Sequence, residues 1–208
     1  MTEFDNSVFG LGEHVHQFVQ TSNGPCVVTE NFYQNLPAAR QQIEQLPFCK
    51  TIYGDSDMYD ARGTFASTIP GNELPFFDQW SESISSYLGT QLKSLHDPLT
   101  VQVNANKILS PKHQEYFFNA HKDHGAMSTV IFLNDEYLKG DGFNIYRDIP
   151  EPPPVWVDRK DLSVEVFVQG RPNRAVTFFA ARLHGMECKT PFFADHIRLT
   201  QAIFMKEV

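Results

Sequence analysis

The chain has 208 residues, the size of one ordinary domain, and its 41% hydrophobic and 20% charged residues exclude a disordered polypeptide. Lys plus Arg number 17 against 25 Asp plus Glu, and the net charge of -8 argues against a general DNA or RNA binder, whose phosphate contacts need clustered cations. No apolar run is long enough to cross a bilayer, and Met1-Thr2-Glu3-Phe4-Asp5 lacks the basic start and apolar core of a signal peptide. Cys26, Cys49 and Cys188 are scattered and form no CxxC, so neither a disulfide framework nor a zinc knuckle is indicated. The expectation is a soluble, cytoplasmic, single-domain protein without nucleic-acid or membrane partners, monomeric or homodimeric.

Along the chain, His14 and His16 share one face of a short strand expected to be solvent-exposed, with no acidic third member close in sequence. Asn35 is a suitable N-cap for a helix from Leu36 to Leu46, with Pro37 in its first turn and Pro47 ending it. A second helix runs from Leu74 to Leu88, where Phe76, Phe77, Trp80, Ile84, Tyr87 and Leu88 form a stripe at helical spacing and Gly89 suits the C-terminal turn. From Leu99 the period changes to two: Val101, Val103 and Ala105 alternate with Gln102, Asn104 and Asn106. Further strands are expected at Ser128–Leu133, Phe143–Arg147, Ser163–Val168, Ala175–Ala180 and Ile197–Met205, with a stiff proline-rich loop from Ile149 to Pro154. Helices followed by short strands describe an α+β chain whose second half is a β-sandwich or barrel, in which Gln102 and Asn104 would line a cavity.

Eight histidines are present, and one pair stands out by its surroundings. In extended chain, residues i and i+2 point to the same side, so His121 and Asp123 can grip one metal ion together. His184, just after the strand Ala175–Ala180, is the best candidate for a third ligand. Two imidazoles and one carboxylate on one face of an ion leave three positions open, an arrangement typical of non-haem iron(II) oxygenases. A lone HxD is a weak signal; Arg198 and Thr200, on one face of the last strand, strengthen it, because a buried guanidinium requires an anionic partner. In extended chain His124 points away from Asp123 and reads as a surface or outer residue, with a His121/His124 pairing in a turn as the alternative, while His96, His113 and His196 read as ordinary loop or strand residues. Tyr116 and Tyr146 are candidates to touch a substrate, although core packing is the simpler role. Arg174 could bind an acidic substrate, with a structural ion pair as the plainer alternative. Nothing near Cys188 suggests an activated thiol.

Several segments together resemble a known family: Val101-Gln102-Val103-Asn104, His121-Lys122-Asp123, Val130-Ile131-Phe132-Leu133-Asn134, Gly140-Asp141-Gly142-Phe143, His184 and Arg198-Leu199-Thr200. Their order is similar to that of the iron(II)/2-oxoglutarate-dependent oxygenases with a double-stranded β-helix, and closest to the small prolyl-hydroxylase-like branch. The resemblance covers about Leu99 to Phe204, and Val27-Val28-Thr29-Glu30-Asn31-Phe32-Tyr33 resembles the segment before the first helix of that branch. It implies a single oxygenase domain over residues 1–208, with a jelly-roll or cupin-like core at 99–205 and helical support at 30–95 packed on one sheet.

The resemblance also implies roles. His121, Asp123 and His184 would hold Fe(II), and Arg198, assisted by Thr200, would pair with the distal carboxylate of 2-oxoglutarate. Asn104 or Gln102 would lie near the cosubstrate or substrate. The reaction implied consumes dioxygen and 2-oxoglutarate, releases succinate and carbon dioxide, and hydroxylates a C–H bond of a small polar substrate, a free or carrier-bound amino acid. An acid at position 123 favours hydroxylation over halogenation. Two departures stand out: Gly140-Asp141-Gly142 replaces the usual Gly-Gly pair, and Arg198 stands where many prolyl hydroxylases carry Lys. The competing readings are a hydroxylase of peptide or protein side chains, a non-catalytic cupin-like binding protein and, ranked last, a zinc hydrolase, which has no use for Arg198.

Overall fold

A computed structural model describes residues 5–46, 49–50, 64–70, 76–94, 100–106, 120–136, 139–147, 149, 156–187 and 198–208. In chain order these form β1 (Val15–Thr21), β2 (Gly24–Glu30), α1 (Leu36–Ile43), β3 (Cys49–Lys50), β4 (Thr64–Pro70), α2 (Phe77–Leu88) and β5 (Leu92–Ser94). There follow β6 (Thr100–Asn106), β7 (Ala120–His121), β8 (Met127–Phe132), β9 (Gly142–Tyr146) and β10 (Trp156–Val157), then β11 (Val164–Gln169), β12 (Ala175–Phe179), β13 (His184–Glu187) and β14 (Arg198–Glu207). Among the described residues, no helix is long and apolar enough to cross a membrane.

Both helices form where their sequences announce them, although α1 ends at Ile43 rather than at the expected Leu46. The Asn35 side chain accepts the Ala38 N–H at 3.1 Å, Pro37 sits in the first turn, and Leu36, Ala39 and Ile43 bury one face of α1. Gly89 takes φ +70° after α2 and donates its N–H to the Ser85 carbonyl at 2.9 Å. Phe77, Trp80, Ser81 and Ile84 make the buried face of α2, whereas Tyr87 is 48% exposed and lies at its rim.

Among the described residues, nine strands form a large sheet, in the order β1-β2-β12-β8-β14-β6-β4-β3 with β5 beside β14. Five form a small sheet, β10-β7-β13-β9-β11. Strand pairing is antiparallel throughout the registers described. The central strands β2, β8 and β12 of the large sheet are buried on both faces. On one face Val27, Met127, Ile131, Leu199 and Ile203 pack under α1 and α2, against Phe32, Ile43 and Trp80. On the other, Cys26, Val28, Phe132, Val176 and Phe178 meet Phe143, Ile145 and Val168 of the small sheet. Each such aliphatic or aromatic side chain stabilises the fold by roughly 1.5–3 kcal/mol on burial.

The first half supplies more than helical support, because β1 to β5 all precede residue 95 and join the same large sheet. His14 and His16 are therefore not on a solvent-exposed strand face. They are half-buried against α2, with the His16 ring 4.8 Å from that of Tyr87 and the His14 ring 5.4 Å from Trp80. The β1–β2 hairpin turns at Ser22-Asn23. Gly24 is required there, because its φ is +99° and a Cβ would lie 2.2 Å from the Phe179 ring.

Candidate metal centre

The small sheet places two imidazoles side by side. His121 ends β7 and His184 begins β13, and they are direct cross-strand partners with ring centres 4.3 Å apart. His184 is thus the first residue of its own short strand rather than a residue trailing β12. Asp123 lies two residues past β7, where its N–H donates to the Ala180 carbonyl at 2.9 Å. Its carboxylate oxygens lie 3.5 Å from His121 Nε2 and 3.3 Å from His184 Nε2. One ligand atom from each residue falls within 4.8 Å of the others, so this group can hold a metal ion. Two imidazole nitrogens and a carboxylate oxygen form the donor set that suits non-haem Fe(II).

The surroundings prepare each ligand. The Arg182 carbonyl is only an acceptor, so its 2.8 Å contact with His184 Nδ1 places the ring proton on Nδ1 and turns Nε2 toward Asp123. Burial, reinforced by the charge of His121, pushes His184 below the usual histidine value against the pull of Asp123 and the Arg182 carbonyl. Burial tends to raise the Asp123 carboxyl. When His184 is protonated, its charge, with hydrogen bonds from His121 and His184, outweighs this and holds Asp123 well below the usual carboxylate range. Phe143 stacks on the His184 ring at 5.4 Å and Phe178 packs 4.5 Å from it, so the inner side of the group is lined by apolar rings.

Arg198 opens β14 and is fully buried. Its Nε donates to Asp141 Oδ1 at 3.0 Å, Nη2 lies 3.4 Å from the Gly142 carbonyl, and its guanidinium carbon is 5.4 Å from the centre of the Phe132 ring. The segment Asp141-Gly142-Phe143 therefore links the arginine to the metal group, since Phe143 touches His184. The departure from a Gly-Gly pair acquires a meaning here: Asp141 is an internal counter-ion for Arg198. Gly170 permits the approach, because a Cβ there would lie 3.0 Å from Asp141 Oδ2 and 3.1 Å from the Phe132 ring. A cation placed on an inward strand face was the signal that an acid should be sought nearby.

Thr200 is buried on the same face of β14 as Arg198, as the two-residue period requires. The register sets Asn104 opposite Thr200 and Gln102 opposite Ala202. Tyr146 does not belong to the site: it packs with Ala120 and Leu183 on the opposite face of the small sheet from Phe143 and Ile145. Arg174 is committed elsewhere, pairing with Glu30 and donating to the Gln169 carbonyl at 2.7 Å, so it is a structural ion pair. His124 is exposed. Tyr116, His96, His113, His196 and Cys188 lie outside the described residues.

No protein-family model matches the chain, and no curated protein matches it by sequence. Its fold does have solved counterparts. The epimerase SnoN, solved in complex with Fe3+, alpha ketoglutarate and nogalamycin RO, aligns at TM-score 0.53 and 14% identity over 82% of this chain and 72% of SnoN. A prolyl 4-hydroxylase from Phytophthora capsici aligns at TM-score 0.53 and 16% identity over 88% of this chain but 59% of its own length. The non-heme alpha ketoglutarate dependent carbocyclase SnoK from nogalamycin biosynthesis aligns at TM-score 0.52 and 13% identity over 87% and 79% of the two chains. The architecture is thus the jelly-roll-like double-stranded β-helix that these three solved structures share.

Proposed function

We propose that this chain is an Fe(II)- and 2-oxoglutarate-dependent dioxygenase that hydroxylates an unactivated C–H bond of a small polar substrate, a free or carrier-bound amino acid. The observation that carries this reading is the convergence of His121, Asp123 and His184, with buried Arg198 linked to them through Asp141-Gly142-Phe143. Iron(II) with 2-oxoglutarate and dioxygen supplies the oxidising chemistry when bound, and succinate and carbon dioxide are the co-products. His121, Asp123 and His184 would hold the ion through two imidazole nitrogens and one carboxylate oxygen. Arg198, assisted by Thr200, would bind the distal carboxylate of 2-oxoglutarate, and Asn104 or Gln102 would serve the cosubstrate or substrate. Phe143 and Phe178 exclude water behind His184 and keep the hydrogen bond that aims it in a dry, low-dielectric setting.

The whole chain is read as one oxygenase domain. Its acidic balance, 25 acids against 17 Lys and Arg, supports a small-molecule substrate over nucleic acid. The Arg198–Asp141 pair favours one second reading, a non-catalytic cupin-like barrel that binds a metal but no dicarboxylate, because the arginine already has an internal carboxylate.

Anaerobic titration of the apoprotein with Fe(II) and 2-oxoglutarate separates the two. A visible metal-to-ligand charge-transfer band, lost in Asp123→Ala and in Arg198→Met, is the expected result. Tight metal binding with no band on adding 2-oxoglutarate would overturn the oxygenase reading in favour of the non-catalytic barrel.

A further inference from the structure

Two of the three ligating residues lean on one short turn. Between β12 and β13, the Ala180 carbonyl accepts the Asp123 N–H at 2.9 Å and the Arg182 carbonyl accepts His184 Nδ1–H at 2.8 Å. The same turn bonds to β9 through the Leu183 carbonyl, which accepts the Tyr146 N–H at 2.9 Å. Its position therefore decides where the Asp123 carboxylate starts and how the His184 ring is rotated.

Arg182 fastens this turn to the rest of the molecule. Its side chain is 4% exposed. Nη2 donates to the Tyr146 carbonyl at 3.0 Å and to Glu165 on β11, while Nη1 donates to Ser22 Oγ at 3.2 Å in the β1–β2 turn. Glu165 in turn accepts from the Ser22 N–H at 2.5 Å and from Ser22 Oγ at 3.0 Å. One buried guanidinium thus ties the turn to both sheets through three separate elements. A planar five-donor fork can do this where a lysine ammonium cannot. The carbonyl that orients His184 belongs to the same residue whose side chain is clamped, so movement of the clamp passes to the ligand through one peptide unit.

We propose that Arg182, held by Glu165, is a positioning residue for the metal site and sets its affinity through the turn that orients His184 and Asp123. The inference rests on the metal-binding reading of His121, Asp123 and His184. The residue does not touch the ion; it governs how well two ligands are pre-aligned for it.

Cobalt(II) titration of the apoprotein, followed by its visible d–d absorption, tests this directly without turnover. Arg182→Met and Glu165→Gln should raise the cobalt(II) dissociation constant of the folded protein, the former by roughly 10- to 100-fold. Arg182→Lys should lie between Arg182→Met and wild type. Arg174→Met, which breaks the comparable Arg174–Glu30 pair away from the turn, should lower the melting temperature and leave cobalt(II) affinity unchanged. Unchanged affinity in Glu165→Gln and Arg182→Met, with a loss of melting temperature only, would overturn the positioning role while the metal site stood. Should Arg182→Met not fold, Glu165→Gln alone decides by the same criterion. Failure of wild type to bind cobalt(II) would overturn the metal reading, and this inference with it.

Discussion

Among the described residues two arginines are buried, each against a carboxylate, and their surroundings differ. Arg182 spends its contacts on structure: a carbonyl, a serine hydroxyl and Glu165 surround it where β1–β2, β9 and β11 come together. Arg198 points from the first residue of β14 into the space between the sheets, beside Phe132, with Asp141 engaging its Nε edge. Burial and an acidic partner are common to both, so neither feature identifies a ligand-binding arginine. What separates them is direction. One guanidinium faces a junction of the β1–β2 turn, β9 and β11, whereas the other lies against Asp141, Phe132 and the Gly142 carbonyl, where the next residue, Phe143, stacks on His184.

The sharpest way to break this contrast is to remove the group that gives Arg198 its neighbour site. Asp123→Ala leaves two imidazoles without a carboxylate and should abolish the charge-transfer band seen with Fe(II) and 2-oxoglutarate. Next in size, Arg198→Met should leave Fe(II) affinity intact while weakening 2-oxoglutarate by about 3 kcal/mol, roughly 100-fold in its dissociation constant by titration. A comparable loss in Arg182→Met of 2-oxoglutarate affinity alone, with metal affinity preserved, would erase the distinction between the two arginines.

Asp141→Asn probes the internal counter-ion. It leaves Arg198 buried without its compensating charge and should cost the apoprotein about 3 kcal/mol in a denaturant melt. Because the dianionic cosubstrate then supplies the missing charge, 2-oxoglutarate should raise the melting temperature of the variant more than that of wild type.

The smallest effect is on pH. Burial depresses His184, His14 and His16 below the usual histidine value of about 6.5, so the folded state favours the neutral rings. The stability this contributes is present above about pH 6.5 and is lost as pH falls through the lower folded values. Asp123 stays ionised throughout that window and adds no slope. The melting temperature of metal-free protein should therefore fall between neutral pH and pH 5. A flat profile would contradict the burial of these rings.

Much of the framework is legible from local pattern. Two-residue alternation marks β6, β8, β9, β11, β12 and β14 to within a residue or two, and Asn35, Pro37 and Gly89 bound the helices because caps are made by neighbouring residues. The strands that pattern missed are those whose reason is distant. β7 has two residues and β13 has four, too short for a period to show. β2 is held by pairing Val28 with Val176, far along the chain, so the first half looks helical until the sheet is assembled. Likewise, the helical stripe included Tyr87, but only the packing of β1 under α2 put that ring at the rim beside His16 and Phe18.

The sequence by itself determined the candidate ligand types and two of the arrangements that matter: His121 and Asp123 separated by one residue, and Arg198 and Thr200 on one strand face. Those follow from the geometry of extended chain, which is local. The tertiary structure decided which histidine completes the group, by pairing His184 with His121 across β7 and β13. It also decided that Asp141 answers Arg198, that Glu165 answers Arg182, and that Tyr146 faces away from the site. Charges and side-chain directions of this kind depend on which strands become neighbours. That is set by the burial of the whole core rather than by any short run of residues.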